Sequence, residues 1–211
     1  MKPQHVMQWF VKKISVALCM MSIVVLAQAS TPSEFVQNNS QKVIDIIQWH
    51  NGKNGAQIRQ QIEVAVIPWF DFDRITALAV GQHWKKATPT QQTQLVTAFQ
   101  QLLLNTYTSM VIGFKNAKII IKQKPRLFEN SSTSVAMVNV QVRLPQGTRS
   151  RKISVKYALY KSEADWKIFN VSVEGMSLVT MYRHQFNSKV ARNGISGLIH
   201  FLQEKNRQTH S

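Results

Sequence analysis

The hydrophobic period of this chain changes twice, and no single type of element satisfies both periods. Between Lys118 and Val173 apolar residues recur at every second position, the spacing of a strand with one face covered. On either side they recur every third or fourth position, the spacing of an amphipathic helix. Ile119 and Ile121 open a first strand. Val138, Val140, Val142 and Leu144 mark a second, and Ile153, Val155, Tyr157 and Leu159 a third. Turns are expected at Leu144-Pro145-Gln146-Gly147 and Ser162-Glu163-Ala164-Asp165. In the fourth strand Trp166 and Ile168 share one parity while Phe169, Val171 and Val173 share the other, so a bulge near Phe169-Asn170 is predicted. Glu174-Gly175 is the corner at which the helical period returns, through Leu178, Val179, Tyr182, Phe186 and Val190 to Asn193-Gly194. A last helix carries Ile195, Leu198, Ile199 and Leu202.

Upstream, Thr31-Pro32-Ser33-Glu34 has the form of a capping box with proline at the first helical position, followed by Val36, Val43, Ile44 and Ile47. A second helix is expected from about Gly55 to Val66, ended by Pro68, and a third begins at Asp71-Phe72-Asp73. Thr88-Pro89-Thr90-Gln91 repeats the capping box and starts the longest helix, expected to be the spine of the fold. The order predicts an α+β domain: a curved four-stranded antiparallel sheet with helices packed on one face and further helices at both ends.

The first 29 residues read as a cleaved secretory signal peptide. Lys2, Lys12 and Lys13 precede an apolar run over residues 14–26, and Ala27-Gln28-Ala29 offers small residues for cleavage. That run is shorter than the ~20 residues a membrane-spanning helix needs. Cys19, the only cysteine, lies inside it without the small preceding residue of a lipoprotein signal, so residues 30–211 form a single domain without thiol chemistry or disulfides. That domain retains 23 basic residues against 10 acidic, a net charge of +13 that favours an anionic partner. For a secreted protein the partner is a lipid headgroup, lipopolysaccharide or an acidic protein rather than nucleic acid.

Patterns for catalysis are missing. Asp71 and Asp73 stand where helix caps stand, and His50, His83, His184, His200 and His210 lack HExxH or HxH spacing for a metal. No GxSxG, GxGxxG or P-loop occurs, and Ser177 and Glu174 fit a helix cap and a corner carboxylate better than a nucleophile and a base. No catalytic residue and no metal ligand is assigned.

Two blocks, residues 68–107 and 169–202, carry a P-W-F-D-F start, G-x-x-W, A-T-P-x-Q, L-L-x-x-T-Y, V-x-V-E-G-x-S-L-V and Y-R-x-x-F in that order. In these the chain resembles the MlaC family, the toluene-tolerance proteins. The departures are Ala79-Val80 before Gly81, where a bulkier pair is usual, and Met181 before Tyr182-Arg183. The resemblance implies an NTF2-like or cystatin-like sheet-and-helix fold and a monomeric periplasmic phospholipid carrier without a cofactor, the phospholipid being cargo. It implies exchange with an outer-membrane lipoprotein-porin complex (MlaA-like) and an inner-membrane ABC transporter with an MlaD-like subunit, maintaining outer-membrane lipid asymmetry.

In such a carrier acyl chains lie between sheet and helices. The inward strand parity then gives Val138, Val140, Val142, Ile153, Val155, Tyr157, Val171 and Val173 as candidate lining. Phe99, Leu103, Tyr107 and Val111 face them from the long helix, and Leu178, Tyr182 and Phe186 from the corner helix. Arg183 is read as a partner for Glu174 in preference to a headgroup contact. Two other readings stay open: a basic periplasmic binder of an anionic polymer or lipopolysaccharide, and a small NTF2-like enzyme using Asp71, Glu174 or Tyr157, which rests on fold analogy alone.

Overall fold

Each long helix begins where the sequence offers a side chain to satisfy its first free amides. The computed structural model describes residues 30–49, 55–129, 133–146, 149–163 and 165–209; the expected signal peptide, residues 1–29, lies outside them, as do residues 51, 52, 147 and 164 of the expected stops and turns. Helix α1 spans Pro32–Trp49. Its capping box is formed: Thr31 N donates to Glu34 Oε2 at 2.8 Å and Glu34 N donates to Thr31 Oγ1 at 3.2 Å. Helix α2 spans Gly55–Val66, and α3, Phe72–Val80, is capped by Asp71, whose carboxylate accepts from Arg74 N at 2.8 Å. Helix α4, Pro89–Ile112, carries the second capping box, between Thr88 and Gln91.

The strands are β1 Lys118–Ile121, β2 Arg126–Glu129, β3 Ser134–Gln146, β4 Arg149–Lys161, β5 Trp166–Val173 and β6 Met176–Ser177. They form one antiparallel sheet in the order β1-β3-β4-β5-β6, with β2 pairing the other end of β3. The register places the predicted inward residues in rows across the strands: Ile119–Val142–Ile153, Ile121–Val140–Val155–Val173 and Val138–Tyr157–Val171. The pairing shifts between Ala158, opposite Asn170, and Leu159, opposite Ile168. Phe169 is therefore the extra residue of a bulge, which keeps Ile168 and Val171 on one face despite their unlike parity.

Glu174 and Gly175 both have positive φ, 50° and 82°, making the tight turn from β5 into β6. Glu174 N donates to Ser154 O at 2.9 Å and its carboxylate accepts from Ser154 N, so the corner carboxylate is a backbone clamp. Helix α5, Leu178–Thr209, follows; the Ser177 hydroxyl accepts from Thr180 N at 3.2 Å at its start. It is broken at Gly194, whose φ of 68° and ψ of −176° match the predicted stop between two helices.

Buried side chains fall into three clusters. The helical cluster joins Phe72, Ile75 and Ala79 of α3, Leu95, Phe99 and Leu102 of α4, and Tyr182, Phe186, Leu198 and Leu202 of α5. In the sheet cluster Val138, Val140, Val142, Val155, Leu159 and Ile168 pack with Phe35, Val36 and Ile44 of α1. A smaller cluster joins Val43 and Ile47 of α1 to Ile58 and Ile62 of α2. Phe70 packs against the first two and Trp69 against the last two.

Three expectations change. The sheet has six strands rather than four, because short β2 and two-residue β6 extend it. Helix α4 buries its apolar face against α3 and α5, and it is α1 that covers the strand valines. Arg183 does not pair with Glu174. Its Nε donates to Leu78 O at 2.8 Å and its stem lies 3.8 Å from where a β-carbon on Gly81 would stand, so its charge sits at the negative C-terminal end of α3.

Candidate functional site

The candidate lining residues are divided between two layers, and the division comes from which helix each layer packs on. On the sheet, Val138, Val140, Val142 and Val155 are buried beneath α1, with Ile153, Tyr157 and Val171 half-buried at their edge. On the helices, Phe99, Tyr182 and Phe186 form a knot of rings. Phe99 meets Tyr182 edge-on at 4.8 Å and Phe186 at 4.9 Å, while Tyr182 and Phe186 are 5.6 Å apart. Leu103 packs against this knot, and Val111 against the α1–α2 cluster. Tyr107, Val173 and Leu178 are half-buried and outside all three clusters. The structure thus gathers seven of the candidates on one sheet face and four in the helical cluster, but does not merge the two sets into one core.

The half-buried members matter most for binding, because they combine apolar surface with access. They are Ile153, Tyr157, Val171 and Val173 on the sheet, Leu103, Tyr107 and Val111 on α4, and Leu178 at the start of α5. Tyr157 is half-buried, and burial pushes its hydroxyl pKa up, partly offset by a hydrogen bond with Ser40 of α1. Burial likewise pushes the Tyr182 hydroxyl up, and the neighbouring Tyr107 hydroxyl adds to the shift. Both tyrosines are neutral at any physiological pH, which suits an apolar environment.

Sequence reasoning missed the contribution of α1. Phe35, Val36 and Ile44 cover the strand valines, and Ile119, Ile121 and Phe114 flank them. The periodicity of α1 was visible in the sequence; which layer it covers was not.

The carboxylates considered for catalysis are held by structural bonds. Asp71 caps α3 and accepts from the Tyr160 hydroxyl at 2.6 Å, while the Arg74 guanidinium lies 4.6 Å from the Tyr160 ring and 4.2 Å from that of Phe169. Burial, followed by this bond and the Asp71 charge, pushes the Tyr160 hydroxyl up to about 12. Among the described residues no group of three or more His, Cys, Asp or Glu is placed to hold a metal ion, and no helix is long and apolar enough to cross a membrane.

Two open grooves lie elsewhere. One of about 370 Å³ is on the opposite, polar face of the sheet, lined by Lys122, Asn139, Gln141, Ser154, Lys156 and Ser172; Val140 and Val155 are the only candidates that reach it. Another, of about 270 Å³, lies beside the α5 break between Lys189, Asn193, His200, Phe201 and Glu204.

The arrangement recurs in known proteins. The chain is 26% identical, with a TM-score of 0.73, to the phospholipid-binding protein from Ralstonia solanacearum, whose structure contains a phospholipid; the match covers 86% of this chain and all of that one. It is 23% identical over 170 residues to toluene tolerance protein ttg2D of Pseudomonas putida, covering 79% of this chain and 76% of that protein. The family description "MlaC protein" matches residues 37–204, most of the chain, and the protein belongs to the MlaC family.

Proposed function

We propose that the protein is a periplasmic phospholipid carrier that holds acyl chains between the sheet and the helical layer. The observation that carries this reading is the likeness, over the whole length of its partner, to a protein solved with a phospholipid bound. The physical requirement fits the geometry. A diacyl lipid has on the order of 30 methylenes, and at ~0.8 kcal/mol each their exposure to water costs ~25 kcal/mol, so a carrier must cover nearly all of both tails. Separate buried clusters on sheet and helices, with half-buried apolar residues on each, allow the layers to part around the tails without opening either core. Headgroups stay at the mouth, attracted by the net positive field.

In this reading the protein is secreted by its signal peptide and works as a monomer. It exchanges lipid between an MlaA-like outer-membrane lipoprotein-porin complex and an inner-membrane ABC transporter with an MlaD-like subunit, and so maintains outer-membrane lipid asymmetry. It carries out no chemistry on its cargo. Protein purified from a Gram-negative host is expected to yield phospholipid on solvent extraction and mass spectrometry. Repeated lipid-free preparations that also fail to take up added phospholipid would refute the reading.

A further inference from the structure

The positive charge is not spread over the protein. Residues 115–161, which hold β1 to β4, carry eleven lysines and arginines and a single carboxylate, Glu129, whereas the rest of residues 30–211 carries twelve basic residues against nine acidic. The strand register concentrates these cations on the polar face of the sheet. Lys118, Arg143 and Lys152 are neighbours on one row across three strands. Four residues along β3, the Lys122 amide bonds to Asn139 O at 2.9 Å, and Lys156 pairs with Asn139 from the other side. Arg126 follows on β2, opposite Met137.

Like charges directly opposite one another weaken a sheet. Among the described residues no ion pair offsets them, and Arg143 bonds to the Gln141 side-chain oxygen at 3.1 Å. Between Lys122 and Lys156 the 370 Å³ groove has a floor of amides and hydroxyls from Asn139, Gln141, Ser154 and Ser172, groups that donate to phosphate oxygens. At the end of the sheet β2, exposed along its whole length, holds out two large apolar side chains on alternate sides of the strand, Leu127 at 52% exposure and Phe128 at 56%.

We propose that this face docks the protein on a bilayer surface bearing anionic headgroups, with the cationic rows over the phosphates and the β2 tip in the headgroup layer. The combination decides between partners: an acidic protein would satisfy the charge, but cationic rows ending at an exposed apolar strand tip are what a charged interface with an apolar interior takes up. The face lies across the sheet from the candidate lining, so the inference does not depend on the cargo reading.

The test is co-sedimentation of the full-length purified protein with phosphatidylcholine vesicles, with or without about one-third phosphatidylglycerol. Binding is expected to the anionic vesicles alone, weakening at least about tenfold between about 50 mM and about 500 mM salt. Lys122→Glu/Lys156→Glu is expected to weaken it about tenfold or more, and the neutral Lys122→Gln/Lys156→Gln pair, which guards against a folding defect, several-fold. Lys85→Glu/Lys86→Glu, which changes net charge equally but lies on the helical layer, is expected to leave it within about twofold. Equal losses in the two charge-reversal pairs, equal binding to neutral vesicles, or no anionic-vesicle binding would overturn the proposal. So would a face variant that loses an acidic protein partner but keeps vesicles. Phospholipid extracted from the face variants separates the two readings, since docking can fail while cargo is retained, and the reverse.

Discussion

One row of the sheet runs from fully buried to half-open, so a single substitution made at two of its positions separates packing from binding. Val140, at 3% exposure, lies beneath α1, whereas Val173, two strands away on the same row, is half-buried where β5 turns into β6. Glutamate at position 140 forfeits the valine burial, about 1.5–3 kcal/mol. It also places a carboxyl among apolar side chains with no partner, several kcal/mol more. Against a typical total of about 5–15 kcal/mol for a domain, Val140→Glu is expected to be largely unfolded. At position 173 the carboxylate reaches water, so Val173→Glu is expected to cost only about 1 kcal/mol of stability. If chains run over this end of the sheet, that carboxylate displaces about three methylenes from apolar contact. The loss is then about 2.4 kcal/mol, on the order of fifty-fold in affinity. Thermal melts measure the first quantity, and titration of delipidated protein with a fluorescent-tailed phospholipid the second. A folded Val173→Glu protein that holds phospholipid as tightly as wild type would remove this row from the binding path.

Other perturbations test the frame around the site. Tyr160→Phe removes a hydrogen bond to a carboxylate and is expected to lower stability by about 1–2 kcal/mol at neutral pH in chemical denaturation. The Tyr160 pKa is raised on folding, so its stabilisation is complete below about 10 and is lost as pH rises through about 12; the variant should lose stability less steeply across that window. Phe186→Ala, at a fully buried ring of the three-ring knot, is expected to cost about 3–5 kcal/mol in the same assay. Gly194→Ala meets no steric obstacle, yet must adopt a backbone conformation almost confined to glycine, so a loss of about 1–3 kcal/mol is expected in thermal melts.

What was legible in the sequence was whatever local chemistry determines. The capping boxes at Thr31 and Thr88, the cap at Asp71, the bulge at Phe169 and the break at Gly194 each depend on residues within a few positions of one another, and each is found. β2 was missed because Arg126-Leu127-Phe128-Glu129 has no alternation to reveal it; one-sided pairing with β3 makes it a strand and leaves all its side chains exposed. The placement of α1 over the valines and of Arg183 at the end of α3 was not legible, because periodicity and charge say that a group needs a partner but not which one the fold supplies. The candidate lining was legible as two apolar faces. Whether tails pass between them depends on how the layers separate, which no short stretch of sequence encodes.

The extra residue in β5 has a consequence for how this chain can vary. Before Phe169 the apolar face is written in the even positions, Trp166 and Ile168; after it, in the odd ones, Val171 and Val173. The strand therefore holds two reading frames spliced at one point. Point replacements on either side alter single contacts, and loss of Phe169 would merge the frames into one regular alternation with both halves still facing the core. The strand can therefore shed its bulge without giving up its inward face.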